Sequence, residues 1–389
     1  MLPALLQSGG AGSKPSFALG FADLGAGAVD TSTQSSPGTP TFTRATTAWT
    51  KLSTGLWASV ATGVARSNYS GATTATGSYR GYLSEAISIN LCLQARDMTQ
   101  ADWVKVNTTA LKNATGIDGV ANSASTVTCT SNGGSILQTV VAAASSRTYS
   151  AFIRRKTGTG TITIQQLTTT LDVTASLNSS TYTRVELNAS ELNSAFGIVF
   201  GTSGDEIEVD MNQLEAGTIA TSPVPTTTAT VTRNGDLLTY TLGGWFNQAA
   251  GTFFMTFVSS TDAATTDAVE YVFQIDDGTA DERMLVRRDT SGTEDYIVVD
   301  GAVTQCNLSS AVVAASTSCK MAVAYEVNNF ALCLNAGTVG TDSSGTIPTV
   351  TTLRVCNHEA NTVQLRSTIS NLTYFAARLP NQQLIALTA

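Results

Sequence analysis

Residues 207–233 decide how the chain divides, and they read IEVDMNQLEAGTIATSPVPTTTATVTR. The opening IEVDM alternates apolar and polar residues, which is the pattern of a strand with one buried face. Pro223 and Pro225 interrupt this pattern, because proline cannot donate a hydrogen bond to a sheet ladder. A second alternation, TATVTR, begins beyond them. The stretch therefore predicts the last strand of one β domain, a Pro/Thr connector at 223–228 and the first strand of another domain.

The length and composition of the chain favour two β domains. Its 389 residues exceed the roughly 100–200 residues of one ordinary domain. Charged residues make up only 13% of the chain, and Thr, Ser, Gly and Asn are frequent. Such residues suit strands joined by tight turns better than they suit helices. We therefore expect an all-β protein.

Strand patterns continue on both sides of the connector. Residues 41–222 contain alternations such as TITIQ at the spacing of a sandwich or barrel, and residues 229–389 contain a second series. We expect the brief strands before residue 91 to lead into the first sandwich. Residues 1–40 are Gly/Ser-rich and cannot build a core. They predict an extended arm that either docks against a neighbouring subunit or lies over the surface.

Local turn and helix signals lie between these patterns. KTGTG at 156–160 predicts a hairpin turn, and DDGTADE and DTSGTED predict further turns because Gly and Asp tolerate tight backbone angles. The final LPNQQLIALTA follows Pro380 with apolar residues on one side. It predicts a short helix at the end of the chain.

The charge pattern argues against two classes of partner. The net charge is −8, and the six lysines and fifteen arginines do not form a run. Nucleic acid is therefore not an expected partner, since phosphate binding needs a basic patch. No apolar run approaches the roughly 18 residues of a membrane span, and the first residues do not resemble a signal peptide. We expect no membrane insertion.

The six cysteines are widely dispersed, and most lie in apolar, strand-like sequence. This placement predicts buried free thiols. One disulfide among Cys306, Cys319, Cys333 and Cys356 remains an alternative. A zinc site is not expected, because the chain has no CxxC pair.

Few residues could carry catalysis. His358 is the single histidine, and no serine lies in a nucleophile elbow, so the sequence predicts no enzyme. Alternation places Glu206, Glu208 and Asp210 on one strand face at steps of about 6.6 Å. We interpret them as a solvated sheet face. A calcium-binding edge and a pair of glycoside-hydrolase carboxylates are the alternatives.

Two further groups of residues are candidates for binding. Asp276, Asp277 and Asp281 cluster in a loop and could hold structural calcium, although a hairpin with an acidic tip explains them more simply. We expect no other cofactor. Aromatic side chains could stack on sugar rings or could fill the core. The candidates for sugar binding are Trp103, Tyr149 and Trp245.

Several blocks resemble tailed-bacteriophage virion proteins. They are FTRATTAWT (42–50), GYLSEAISINLC (81–92), RTYSAFIRRKTGTGTITI (147–164) and MNQLEAGTIATSPVPTTTATVTR (211–233). In such proteins a jelly-roll module similar to carbohydrate-binding modules ends on a QLE-x-G-x-x-ATS-x-x-P-T-T strand. Residues 229–389 resemble the concanavalin A or laminin-G sandwich, through GTFFMTFVSS, the run from KMAVAYEV to LRVCN, and ISNLTYFAARLPNQQLIALTA.

This resemblance implies an architecture and a function. The fold would be an N-terminal arm (1–40), a jelly-roll sandwich (41–222), a connector (223–228) and a lectin-like sandwich (229–389). The protein would be a structural component of the virion surface, assembled in the host cytoplasm as a tail fibre, tail tip, capsid spike or decoration protein. Its partners would be other virion proteins, further copies of itself in a homo-oligomer, with a trimer favoured, and host-surface glycans. Leu2, Leu5 and Leu6 in the arm are the candidate docking residues. A polysaccharide depolymerase and a free lectin-like module are the alternatives.

Overall fold

The computed structural model describes residues 15, 17–20, 40–69, 79–259, 269–360, 365 and 368–389. The described residues form two antiparallel β-sandwiches, as the strand patterns predict. No helix among them is long and apolar enough to cross a membrane.

The first sandwich is a jelly-roll type with two five-stranded sheets, ordered β15-β12-β17-β10-β9 and β14-β13-β16-β11-β8. A short 3₁₀ turn, Thr174–Ser176, follows β14. The strands are β8 (Val104–Val106), β9 (Thr108–Ala114), β10 (Ala124–Cys129), β11 (Ser135–Thr139), β12 (Ser145–Thr157), β13 (Ile162–Gln166), β14 (Thr169–Asp172), β15 (Thr183–Glu191), β16 (Ala195–Phe200) and β17 (Glu206–Ala216).

Alternation along these strands fills the space between the two sheets. Tyr149 and Ile153 on β12 and Val209 on β17 point into this core, together with Phe196 on β16, and each is at most 1% exposed. Phe152 and Asp210, at neighbouring positions on the same strands, belong to the outer face. This two-residue period is what the sequence predicts for a strand with one buried face.

The second sandwich has two sheets. One has seven strands in the order β2-β19-β28-β21-β22-β23-β24. The other has eight strands: seven follow the order β27-β26-β25-β20-β29-β6-β5, and the eighth, β1, pairs with β29. Its strands from the C-terminal half are β19 (Leu237–Thr241), β20 (Ala250–Val258), β21 (Glu270–Asp276), β22 (Arg283–Arg288), β23 (Glu294–Asp300), β24 (Val303–Ser309), β25 (Ser318–Glu326), β26 (Phe330–Leu334), β27 (Gly340–Asp342), β28 (Thr352–Val355) and β29 (Thr368–Phe375).

The N-terminal segment supplies the remaining strands, and its pairing differs from the prediction. They are β1 (Phe17–Gly20), β2 (Thr41–Thr43), β3 (Ala48–Lys51), β4 (Trp57–Val60), β5 (Arg66–Tyr69), β6 (Tyr79–Leu83) and β7 (Ser88–Asn90). We expected residues 41–90 to open the first sandwich. Instead β2, β5 and β6 pair within the second sandwich, and β7 pairs with β18 (Val231–Arg233) just after the connector. β1 also pairs there, beside β29, although residues 1–40 were predicted to form an extended arm.

The hairpin of β3 and β4 forms a separate two-stranded sheet that packs on the first sandwich. Trp49 and Trp57 contact an apolar cluster on its outer face, and the Trp57 ring meets Phe152 edge-on at 5.7 Å between centroids. The N-terminal segment therefore contacts both sandwiches. A local strand pattern predicts that a segment is extended, but not which distant strand it will pair with.

Residues 158–161 also connect their flanking strands differently from the prediction. β12 pairs with β15 and β17, whereas β13 pairs with β14 and β16 in the opposite sheet. KTGTG therefore carries the chain from one sheet to the other and does not close a hairpin. Gly158 has a φ of 84°, a left-handed conformation that glycine adopts without a steric penalty.

Three other predictions are confirmed. β21 and β22 form the hairpin expected around DDGTADE, in the register Asp276 to Arg283. The final helix, α1 (Asn381–Thr388), follows Pro380 and buries Leu384 and Leu387 against the outer face of the eight-stranded sheet. All six cysteines are buried free thiols.

Candidate functional site

The connector between the sandwiches lies beside a buried cluster of charged side chains. Each charged member of this cluster is at most 7% exposed. We call it the junction network, and it consists of Arg44, Arg66, Glu85, Ser222, Arg233 and Asp236.

Asp236 joins two arginines of the N-terminal segment to the second sandwich. Its Oδ1 accepts a hydrogen bond from Arg44 Nη1 at 2.7 Å, and its Oδ2 accepts one from Arg66 Nη2. The backbone N–H of Glu85 donates to the same Oδ2 at 3.0 Å. Both carboxylate oxygens of this fully buried residue are therefore satisfied, as burial of a charge requires.

Glu85 makes the corresponding contacts with Ser222 and Arg233, which flank the connector. Arg233 Nη1 lies 2.5 Å and Arg66 Nη1 lies 2.7 Å from its Oε2. The backbone N–H of Ser222 donates to Oε1 at 2.7 Å, and the Ser222 hydroxyl donates to Oε2 at 2.5 Å. Burial alone would raise the pKa of Glu85, but the Arg233 and Arg66 guanidiniums and the Ser222 donors lower it to about 2.

The QLE motif holds the start of the connector. Glu215 accepts hydrogen bonds from the Thr221 N–H and hydroxyl, both at 2.7 Å. Gln213 Oε1 accepts from Val224 N–H at 2.8 Å. Asn90 Nδ2 donates to the Val224 carbonyl at 2.8 Å. These side chains satisfy backbone groups of the proline-containing connector, which is not part of a sheet. The connector is therefore held in one conformation.

The charges at the junction nearly balance. Arg44, Arg66 and Arg233 supply three positive charges, and Glu85 and Asp236 supply two negative ones. Glu215 is buried nearby and attracts Arg233. With Glu215 included, three positive charges face three negative charges, which limits the cost of removing them from water.

Two clefts flank the connector. One has a volume of ≈ 300 Å³ and we call it the connector cleft; it is lined by Thr46, Trp49, Thr62, Pro225, Val231 and Thr232, among others. The other has a volume of ≈ 180 Å³ and we call it the arginine cleft; it is lined by Trp57, Asn68, Arg80, Arg184 and Thr221, among others. The first cleft has few charges, whereas the second brings two arginines together.

The predicted sugar-stacking aromatics lie in the cores. Trp103 and Tyr149 are 1% and 0% exposed, and both rings pack against Phe196. Trp245 is 5% exposed and stacks on Phe17 at 4.3 Å between centroids. None of the three presents a ring face to solvent, so the sugar-stacking interpretation was wrong for them. Aromatic side chains bury a large apolar area, which favours the core.

The three aspartates proposed for calcium differ in burial and in the hydrogen bonds that their carboxylates accept. Asp276 is fully buried and accepts hydrogen bonds from Arg354 Nε at 2.7 Å and Nη2 at 3.2 Å. Asp277 is exposed and closes the turn by accepting from the Thr279 N–H and hydroxyl, while Asp281 is exposed beyond it. Within the described residues, no three His, Cys, Asp or Glu side chains could hold a metal ion together. The structure therefore favours the acidic hairpin tip.

Three acidic residues of β17, Glu206, Glu208 and Asp210, each have a basic partner. Glu208 accepts from Arg154 Nε at 2.6 Å, and Lys156 Nζ lies 3.6 Å from Glu206. Asp210 is 0% exposed and binds Arg96 through both carboxylate oxygens, at 2.8 and 2.9 Å. Burial raises the pKa of Asp210, the direction that a general acid requires, but the Arg96 pair occupies both oxygens. The solvated-face interpretation was wrong for Asp210, because the Arg96 guanidinium covers it.

The His358 ring is 8% exposed and stacks on Tyr271 at 4.6 Å between ring centroids. The docking leucines Leu2, Leu5 and Leu6 lie outside the described residues.

The junction network was not predicted from the sequence. Its arginines occur singly, and 192 residues separate Arg44 from Asp236. The sequence did contain a usable signal. Arg44 ends the strand-like FTR at 42–44, and Arg233 ends VTR at 231–233, so each follows an apolar residue and a threonine. Arginines in such settings need a buried acid as partner.

No family model matches the chain, and no curated protein matches it. Solved structures are similar to parts of it. The CBM40 module of the Ruminococcus gnavus IT-sialidase, bound to α2,6-sialyllactose, is 14% identical, with a TM-score of 0.32 over 37% of this chain and 85% of that one. The tandem CBM22 domains of Paenibacillus barcinonensis Xyn10C are 5% identical, with a TM-score of 0.26 over 75% of this chain and 97% of that one. The heptameric SAP-like pentraxin of Limulus polyphemus is 12% identical, with a TM-score of 0.28 over 37% of this chain and 73% of that one.

Proposed function

We propose that this chain is a structural protein of a tailed-bacteriophage virion, displayed at the particle surface as a tail fibre, tail tip, capsid spike or decoration protein. The carrying observation is the QLE to PTT block, which resembles such proteins in sequence and forms the held connector between the sandwiches. A connector fixed by buried hydrogen bonds supports a structural role, since a virion appendage has to keep the relative orientation of its domains when force acts on it.

Recognition of host-surface glycans is the second part of the proposal. The sandwich architecture supports glycan recognition, because its rigid strands form clefts and sheet faces on which a sugar can bind. The proposed partners are other virion proteins, further copies of this chain in a homotrimer, and these glycans. Assembly would take place in the host cytoplasm.

Mass spectrometry of purified particles tests the structural role. We expect peptides of this chain in the particles, and light scattering after size exclusion should give the mass of a trimer. A chain that is monomeric and absent from particles would contradict the proposal. Glycan binding by such a chain would instead support a free lectin-like module.

The arm offers a sharper experiment. β1 (Phe17–Gly20) belongs to the eight-stranded sheet, so a deletion that tests docking has to stop before Phe17. Removing residues 1–14 takes away Leu2, Leu5 and Leu6 and retains that strand. We expect the truncated chain to keep its melting temperature and to lose incorporation into particles. Normal incorporation would refute a docking role for these leucines.

A further inference from the structure

The connector cleft has the size and lining of a small-ligand site. Its volume of ≈ 300 Å³ lies at the lower end of the roughly 300–1,000 Å³ typical of small-molecule pockets. Every residue that lines it is among those that the structure describes. The lining residues come from the N-terminal segment, the connector and β18.

The cleft offers no charge that a ligand could neutralise. Arg233 is its one charged residue, and both terminal nitrogens of its guanidinium are occupied. Nη1 donates to Glu85 Oε2 at 2.5 Å, and Nη2 donates to the Ala86 carbonyl at 2.6 Å. An anionic ligand would find no free cation here, and a cationic ligand would find no acid. The occupant should therefore be neutral.

The remaining lining combines apolar surfaces with hydroxyl groups. Trp49, Pro225 and Val231 supply the apolar part, and the Val231 side chain is 39% exposed. The Trp49 ring is held by the Arg96 guanidinium, 5.6 Å from its centroid. Thr62 on the N-terminal segment and Thr232 on β18 also line the cleft, and both are exposed. A neutral sugar ring fits this combination, because it has an apolar C–H face and hydroxyls that both donate and accept hydrogen bonds.

We propose that the connector cleft binds one neutral hexose unit of a host-surface glycan. This inference rests on the glycan-recognition part of the proposed function and gives that role a place and a ligand class. The arginine cleft is smaller, at ≈ 180 Å³, and Glu85 lines it together with Arg80 and Arg184, so it is a charged cleft, unlike the connector cleft. Binding in the connector cleft should therefore discriminate against sialylated and uronate-containing glycans.

The test uses the full-length chain and a panel of oligosaccharides ending in glucose, galactose, mannose or N-acetylhexosamine, with sialylated and uronate-terminated counterparts. Thr62→Trp and Thr232→Trp each place a large side chain at a position that lines the cleft, one on the N-terminal segment and one on β18. Thr54→Trp is the matched control, since Thr54 is exposed on the same N-terminal segment and lines neither cleft. Circular dichroism and thermal melting check that each variant is folded.

We expect the native chain to bind a neutral terminal sugar, and each cleft variant to bind it at least about tenfold more weakly. The control should bind within about twofold of the native chain. Three results would overturn the assignment. The first is equal sugar binding by the native chain and all variants, and the second is a preference for anionic glycans. The third is binding of a proline-rich peptide without binding of neutral sugars. Its failure is distinguishable from failure of the virion role, because particle mass spectrometry reads the virion role independently of sugar binding.

Discussion

Glu85 at the junction and Glu294 in the second sandwich are both buried beside arginine, but their pKa values move in opposite directions. Two arginines and the Ser222 donors surround Glu85, and its pKa falls to about 2. Glu294 pairs with Arg288 at 2.8 Å, but burial together with Glu270 and Asp295 raises its pKa to about 8.

The difference lies in the ratio of charges. In the strand register, Arg288 stands opposite Glu270 on one side and Glu294 on the other. Arg288 therefore lies between two buried acids, and the group is cheaper to bury when Glu294 keeps its proton. At the junction, Arg66 and Arg233 both contact Glu85, so Glu85 can stay ionised. Burial sets the cost of a charge, and the local count of partners decides whether the charge is kept.

Replacing the central arginine of each cluster should give the largest effect. Arg66→Met removes a contact to both Glu85 and Asp236, and we expect a loss of about 3–5 kcal/mol in unfolding free energy at pH 6. Arg288→Met should cost less, about 1–3 kcal/mol, because Glu294 can remain neutral. Chemical denaturation followed by tryptophan fluorescence measures both. Equal losses would show that the two clusters do not differ in the way that their charges suggest.

Glu85→Gln tests the acid side of the comparison. A pKa lowered from 4.5 to about 2 means that Glu85 stabilises the fold above pH 4.5, and that this stabilisation disappears as the pH falls toward 2. The variant should be less stable by about 1.5–3 kcal/mol at pH 6. It should also lose stability less steeply between pH 4.5 and pH 2 than the native chain does. A parallel pair of pH profiles would contradict the pKa assignment.

Glu294→Gln should act with the opposite sign. Its pKa is raised from 4.5 to about 8, so the folded state holds a proton that the unfolded state releases, and stability falls as the pH rises between these values. The slope from one such group is at most about 1.4 kcal/mol per pH unit. The variant should remove this part of the slope and gain stability relative to the native chain at pH 8. Thermal melting at pH 5, 6.5 and 8 measures it.

Arg283→Met provides the smallest expected change. Arg283, on β22 of the second sandwich, is partly exposed, and its Nη1 lies 3.4 Å from Glu359. Exposed ion pairs contribute about 0–1 kcal/mol. A loss comparable to that of Arg66→Met would show that burial is not what separates these arginines.

Local sequence signals predicted much of the fold but not its long-range pairing. Alternation identified the strands, and the glycine and aspartate turns identified the hairpin between Asp276 and Arg283. KTGTG has similar turn chemistry, yet it connects two sheets. A turn sequence determines local backbone angles, whereas the sheet that the next strand joins depends on packing far along the chain.

The candidate site was less predictable than the fold. The sequence identified the connector but not the charged residues around it, since Arg66 and Asp236 lie 170 residues apart. It also suggested Trp103 and Tyr149 for binding, although an aromatic residue in a strand has the same sequence pattern on either face. Burial distinguishes the two cases, and burial is a property of the assembled sheets.

By itself, the sequence determined the all-β class and the final helix and favoured buried free thiols, because these follow from composition, period and turn chemistry within short windows. Only the tertiary structure decided that the N-terminal strands belong to the second sandwich and that Arg44, Arg66 and Arg233 meet Glu85 and Asp236. Those contacts require loops of many residues to close, and their energy is gained only when the desolvated charges are all in place.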